Sequence, residues 1–161
     1  MTTTTYADLA DEVIAVLEAL APSSPTRPPW RRSLRRHDFR FWAMANAGAC
    51  FRQFEIRRST PEESPGTWDP SARRVMVGAQ LAVAYPVGQP GLFGRGDRDD
   101  VERVIDADSR QIHDALMGPS ALLAGHNATY VKILAPDRAS EAVWFQDFEL
   151  TFDFHRALNL T

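Results

Sequence analysis

The sequence predicts an α+β fold: one antiparallel or mixed β-sheet, with an N-terminal helix and a second helix packed on one face. Three observations predict it. Apolar residues recur at helical spacing in two segments, 6–21 and 99–117. Apolar residues alternate with others along two long strands, 73–85 and 142–156. Helices and strands do not alternate as βαβ units would, which argues against a wholly parallel sheet.

Taking the elements in order, Tyr6, Leu9, Val13, Leu17 and Leu20 share a helical stripe with Ala10, Ile14 and Val16. Asp8, Asp11, Glu12 and Glu18 take the other faces, and Thr5 with Asp8 resembles a capping box with Asp in place of Glu. Pro22 ends the helix. Residues 22–38 hold Pro22, Pro25, Pro28 and Pro29 among serines and arginines, so they read as an irregular arm. Phe39 to Met44 and Ala49 to Ile56 read as two short β-like pieces around Ala45-Asn46-Ala47-Gly48. Thr60 to Ser71 is a polar loop. Arg73 to Tyr85 is an inner strand with Val75, Val77, Ala79, Leu81, Val83 and Tyr85 on one face. Its other face is small and mixed, as if another element lay over part of it. After the Pro- and Gly-rich loop 86–96, Val101, Val104, Ile105, Ile112, Ala115 and Leu116 mark the second helix. Asp99 with Glu102 is its expected cap, and Gly118-Pro119 its stop. Tyr130 to Ala135 is a short strand joined by 136–141 to the last one, whose Trp144, Phe148, Leu150, Phe152 and Phe154 alternate with polar residues.

Composition bounds the rest. At 161 residues, 44% hydrophobic and 24% charged, the chain reads as a single globular domain over 1–161. No apolar run approaches the ~20 residues of a membrane-spanning helix, and Met1 to Thr5 has no signal-peptide character. These features predict a soluble protein, and the lone Cys50 suits a reducing cytoplasm. Charge is uneven: between Pro22 and Thr60 nine arginines face only Asp38 and Glu55. That stretch is +7 and the remainder −10 within a net charge of −3, a pattern suited to head-to-tail contact between copies. An ordinary solvated surface in an arginine-rich composition explains it equally well.

No catalytic constellation stands out, and neither a cofactor nor a metal is expected. His37, His113, His126 and His155 lack metal-ligand spacing, and Cys50 reads as a small buried residue. The glycines of 91–96 match neither a P-loop nor Gly-x-Gly-x-x-Gly. Asp97, Asp99 and Asp100 could attract a cation, but helix capping accounts for them. Asp108 falls within the apolar stripe of its helix, where a carboxylate needs either an internal partner or a subunit contact. Arg95-Gly96-Asp97 and the sequon at Asn127 are short enough to arise by chance. The runner-up reading is a nucleic-acid-binding accessory protein, because Trp30-Arg31-Arg32 and Leu34-Arg35-Arg36-His37 interleave arginine with an aromatic. No nucleic-acid-binding signature accompanies them.

The run 75–85, the helix from Asp100-Val101 through Asp108 to Leu116, a short strand, and Val143-Trp144-Phe145 leading into Glu149-Leu150-Thr151-Phe152-Asp153-Phe154 together resemble the tail terminator proteins of long-tailed phages and related particles. The resemblance covers roughly 73–156, with the N-terminal helix in the expected place. It implies an α+β subunit without catalysis or cofactor that forms a homohexameric ring on the last ring of the tail tube. Such a ring would end tail polymerisation and present a head–tail joining surface to a head-completion or connector protein. DNA would pass through its lumen without sequence recognition. It implies a virion location, in the tail or neck, after assembly in a bacterial cytoplasm. On this reading the subunit interface would draw on Arg31, Arg32, Arg35 and Arg36 on one side and on Asp97, Asp99, Asp100 and Asp108 on the other.

Overall fold

The computed structural model describes residues 6–34, 38–59, 72–92, 94–117 and 129–157. In chain order the elements are α1 (Tyr6–Ala19), β1 (Arg31–Arg32), α2 (Phe39–Ala45), a 3-10 turn (Ala47–Ala49), β2 (Gln53–Ser59), β3 (Ala72–Pro86), α3 (Arg98–Met117), β4 (Thr129–Ile133) and β5 (Val143–Ala157). The strands form one mixed sheet in the order β1-β2-β3-β5-β4. Only β1 and β2 run parallel; the other pairs are antiparallel. The spine of the sheet is β3 with β5, paired from Ala72 opposite Ala157 to Pro86 opposite Val143.

Period-2 alternation gives this spine two faces. On one, Ala79, Leu81, Val83 and Tyr85 join Trp144, Phe148 and Leu150 in a core closed by Val13 and Leu17 of α1 and by Val101, Ile105, Ile112 and Leu116 of α3. Both expected helices therefore lie on that face. Burying each such large side chain stabilises by about 1.5–3 kcal/mol. The other face carries Ala82, Ala84, Val143 and Phe145 beneath Phe39 and Ala43 of α2 and beside Cys50. Here lies the element that the small residues of β3 announce. Phe39 meets Phe145 edge-on, with ring centroids 5.9 Å apart.

Several local expectations are corrected. Phe39 to Met44 is helix, not strand, because Phe39 and Ala43, four residues apart, both turn onto the sheet and Trp42 joins them. Its β-favouring aromatics yield to that packing. The strand expected from Ala49 begins only at Gln53, since 47–49 is a 3-10 turn and Arg52 takes a left-handed φ of 58°. The arm is not wholly irregular: Arg31–Arg32 pairs with Gln53 and Phe54. At α3 the cap is Asp97 rather than Asp99, because its Oδ1 accepts the Asp100 N–H at 3.0 Å. In the loop ahead of it, Gly96 has φ +65°, and a Cβ there would lie 2.6 Å from the Gln89 carbonyl oxygen, so only glycine fits.

The readings of Thr5, Arg35, Arg36, His37, the loop 60–71, Gly118-Pro119, His126 and Asn127 fall outside the described residues. Among the described residues no helix is long and apolar enough to cross a membrane.

Candidate functional site

The best-developed polar cluster is internal. The tight turn before β2 places Arg52 with its N–H donating to the Ala84 carbonyl at 2.9 Å and its own carbonyl accepting from Arg31 N–H at 3.2 Å. The side chain then runs inward. Arg52 Nε and Nη2 donate to Asp108 Oδ2 and Oδ1 at 2.7 and 2.8 Å, a bidentate fork. The Tyr85 hydroxyl donates to the same Asp108 Oδ2 at 2.9 Å. Arg52 Nη1 donates to two arm carbonyls, those of Pro25 and Pro28. The guanidinium carbon also lies 5.1 Å from the Trp30 ring centroid and 4.9 Å from that of Phe51. Arg52, Asp108, Tyr85 and Trp30 are all fully buried.

Burial pushes the Asp108 carboxyl above its usual range, against the opposing hydrogen bonds and charge of Arg52 and the Tyr85 hydroxyl. The Tyr85 phenol is pushed well above its ordinary value, first by burial and then by the Asp108 charge. The Trp30 indole N–H approaches that hydroxyl without hydrogen-bond geometry and is otherwise buried with no partner. Proline-rich chain offers few N–H donors but keeps its carbonyls, and a guanidinium is the side chain that satisfies two of them at once. The cluster therefore straps the arm to α3 and β3.

A second cluster fastens α2. Arg40 donates to Asp137 Oδ2 at 3.0 Å and to Asp147 Oδ1, and its guanidinium carbon sits 4.7 Å from the Phe145 ring centroid. Glu55 and Asp147 occupy the same sheet face, each in register with Ala82. Glu55 bonds Arg57 at 3.0 Å, yet its Oε2 is buried without a partner. Burial is the main reason both carboxyls sit above their usual range; Arg57 opposes it at Glu55 and Arg40 at Asp147.

These contacts bear on the uneven charge. Arg40 and Arg52 reach out of the basic stretch to Asp137, Asp147 and Asp108, so part of the opposition between the two halves is consumed inside one molecule. Of the residues expected at an interface, Arg31 and Arg32 lie together in β1, Asp97, Asp99 and Asp100 lie together at the start of α3, and Asp108 lies in the core. Arg31 is exposed and Arg32 half-buried in β1, and the Arg32 N–H donates to Glu18 Oε1 at 3.1 Å. Asp97 and Asp100 serve the start of α3: Asp97 caps it, and Asp100 Oδ2 accepts the Arg95 N–H at 2.9 Å. Asp99 is exposed on the first turn. Of the two readings of Asp108, the structure shows the internal bond, and a partner cannot reach a carboxylate with no exposed surface. Trp30, likewise buried, offers no platform for stacking on a base.

Cys50 is buried, and burial pushes its thiol up to about 12, which disfavours the nucleophilic thiolate. No group of three or more His, Cys, Asp or Glu among the described residues is arranged to hold a metal. The surface also offers large apolar side chains: Leu34 in the arm is 92% exposed, and Phe41, three residues beyond the arm's end, is 72% exposed, with Met44 one turn further along α2. No protein-family model matches the chain, and a comparison with curated proteins found no match to its sequence.

Proposed function

We propose that this chain is a structural assembly subunit, a tail-terminator-like protein that closes into a ring on a tail tube and meets a head-completion protein. The observation that supports this reading best is the exposure of three large apolar side chains, Leu34, Phe41 and Met44, together with that of Arg31. Large side chains so placed gain by burial against another surface, and the exposed arginine favours an acidic one. On a second copy, α3 offers exposed Asp99 and Asp114 to such an arginine, although Asp106 is already paired with Arg110 at 3.2 Å and Arg98 and Arg103 are exposed as well. A contact between two different patches is heterologous, and heterologous contacts close into rings when the rotation fits. The strapped arm suits this role, since Arg52 holds Pro25 and Pro28 in place and so fixes where Arg31 and Leu34 emerge.

Light scattering and negative-stain images of the purified chain, alone and with tail-tube protein, test the reading. Rings that disappear in Leu34→Ser/Phe41→Ser are expected. A strict monomer that binds neither tube nor connector protein would overturn it.

A further inference from the structure

The two outer edges of the sheet are closed in unequal ways. On the β1 side, the outward N–H of Arg32 donates to a carboxylate oxygen of Glu18 at 3.1 Å, a charge-assisted bond. On the β4 side, Leu134 N–H donates to the Asp147 carbonyl at 3.0 Å, and Lys132 and Tyr130 share that phase opposite Glu149 and Thr151. The even-numbered residues thus bond to β5, and Thr129, Val131 and Ile133 turn their backbone groups outward. Val131 N–H ends on the sulfur of Met117 at 3.3 Å. A thioether is a weak acceptor standing where a strand carbonyl would normally sit. No strand lies outside β4 among the described residues.

We propose that the outer edge of β4 adds the β4 strand of a second copy in antiparallel fashion, displacing Met117 and joining the two sheets into one. The strand is self-complementary. With Val131 opposite its counterpart, all five residues pair and Tyr130 faces Lys132 across each non-hydrogen-bonded position, where side chains approach most closely. Tyr130 is 59% exposed and the Lys132 side chain 59%, on the same face, so each ammonium lies over the other copy's ring. Sliding by two residues one way would oppose two lysines; sliding the other way shortens the overlap. A two-fold contact differs from the head-to-tail contact of a ring, so its failure leaves the ring reading untouched.

Sedimentation and backbone hydrogen exchange of the full chain over a concentration series provide the test. The Val131 and Ile133 amides are expected to gain protection as dimer forms, while the Arg32 amide does not change. Ile133→Pro removes an outward N–H without touching the β5 ladder and is expected to abolish the dimer. Tyr130→Lys, at an exposed position, should weaken it at least about ten-fold through like charges on both sides of the axis. Met117→Leu, which removes the competing acceptor, should tighten it about two- to five-fold. Amides whose protection ignores concentration, or a dimer indifferent to Ile133→Pro and Tyr130→Lys, would overturn the proposal; the second result would place the contact on another surface.

Discussion

Replacing Asp108 by Asn tests the internal strap directly. Asp108 accepts two hydrogen bonds from Arg52 and one from Tyr85, with no exposed surface on any of the three residues. Asn keeps the size but loses the charge, and its NH2 group must face a guanidinium N–H. The buried cation is left uncompensated, which typically costs about 3–5 kcal/mol. Total stability of a domain is about 5–15 kcal/mol, so the loss is a large share of it. At about 2–4 °C per kcal/mol for a chain of this size, the melting temperature should fall by roughly 6–20 °C. Urea denaturation followed by tryptophan fluorescence measures the loss. Arg52 also holds the Pro25 and Pro28 carbonyls, so trypsin should cut after Arg31 and Arg32 faster in the variant than in the parent. The pair Arg52→Met/Asp108→Leu removes both charges and should recover much of the loss, because the cost lies in the unpaired charge more than in the missing bond. An Asp108→Asn protein within about 1 kcal/mol of the parent would refute this reasoning, since no buried charge orphaned in this way is that cheap.

Two further outcomes follow from the titratable groups. Glu55 has a folded pKa raised above its usual 4.5, so it weakens the fold when ionised and this effect fades as pH falls through the raised value. Glu55→Gln should therefore be more stable than the parent at neutral pH, with the gain vanishing toward pH 4.5 in parallel melts; a gain that grows on acidification would contradict the burial of Oε2. The Cys50 thiol, buried and pushed up to about 12, should resist alkylation in mildly alkaline buffer until the chain unfolds, as mass spectrometry would show. Rapid labelling of the native protein would mean that α2 does not cover it.

Much of the fold is legible because burial imposes a period. The stripes of α1 and α3 and the alternation of β3 and β5 recur as the two layers of the main core, and the small residues Ala82 and Ala84 correctly announce an overlying element. What covers them was less legible. Phe39, Phe41 and Trp42 carry strand propensity, and only the fit of Phe39 and Ala43 onto Phe145 and Ala82 makes them helical. The candidate site shows the same division. An aspartate in the apolar stripe of α3 signals either an internal partner or a subunit contact, but nothing local chooses between them or separates Arg52 from the eight other arginines of its region.

The sequence by itself determined the class of fold, the two helices on one face, the inner strand and the need of Asp108 for a partner, because these follow from patterns among near neighbours in the chain. Only the tertiary structure decided which arginine answers Asp108, fifty-six residues away, and that the arm is strapped down rather than loose. It also decided that part of the apparent charge dipole is spent within one molecule. Pairings of this kind depend on which side chains the topology brings within a few ångströms, and separation along the chain carries no record of that distance.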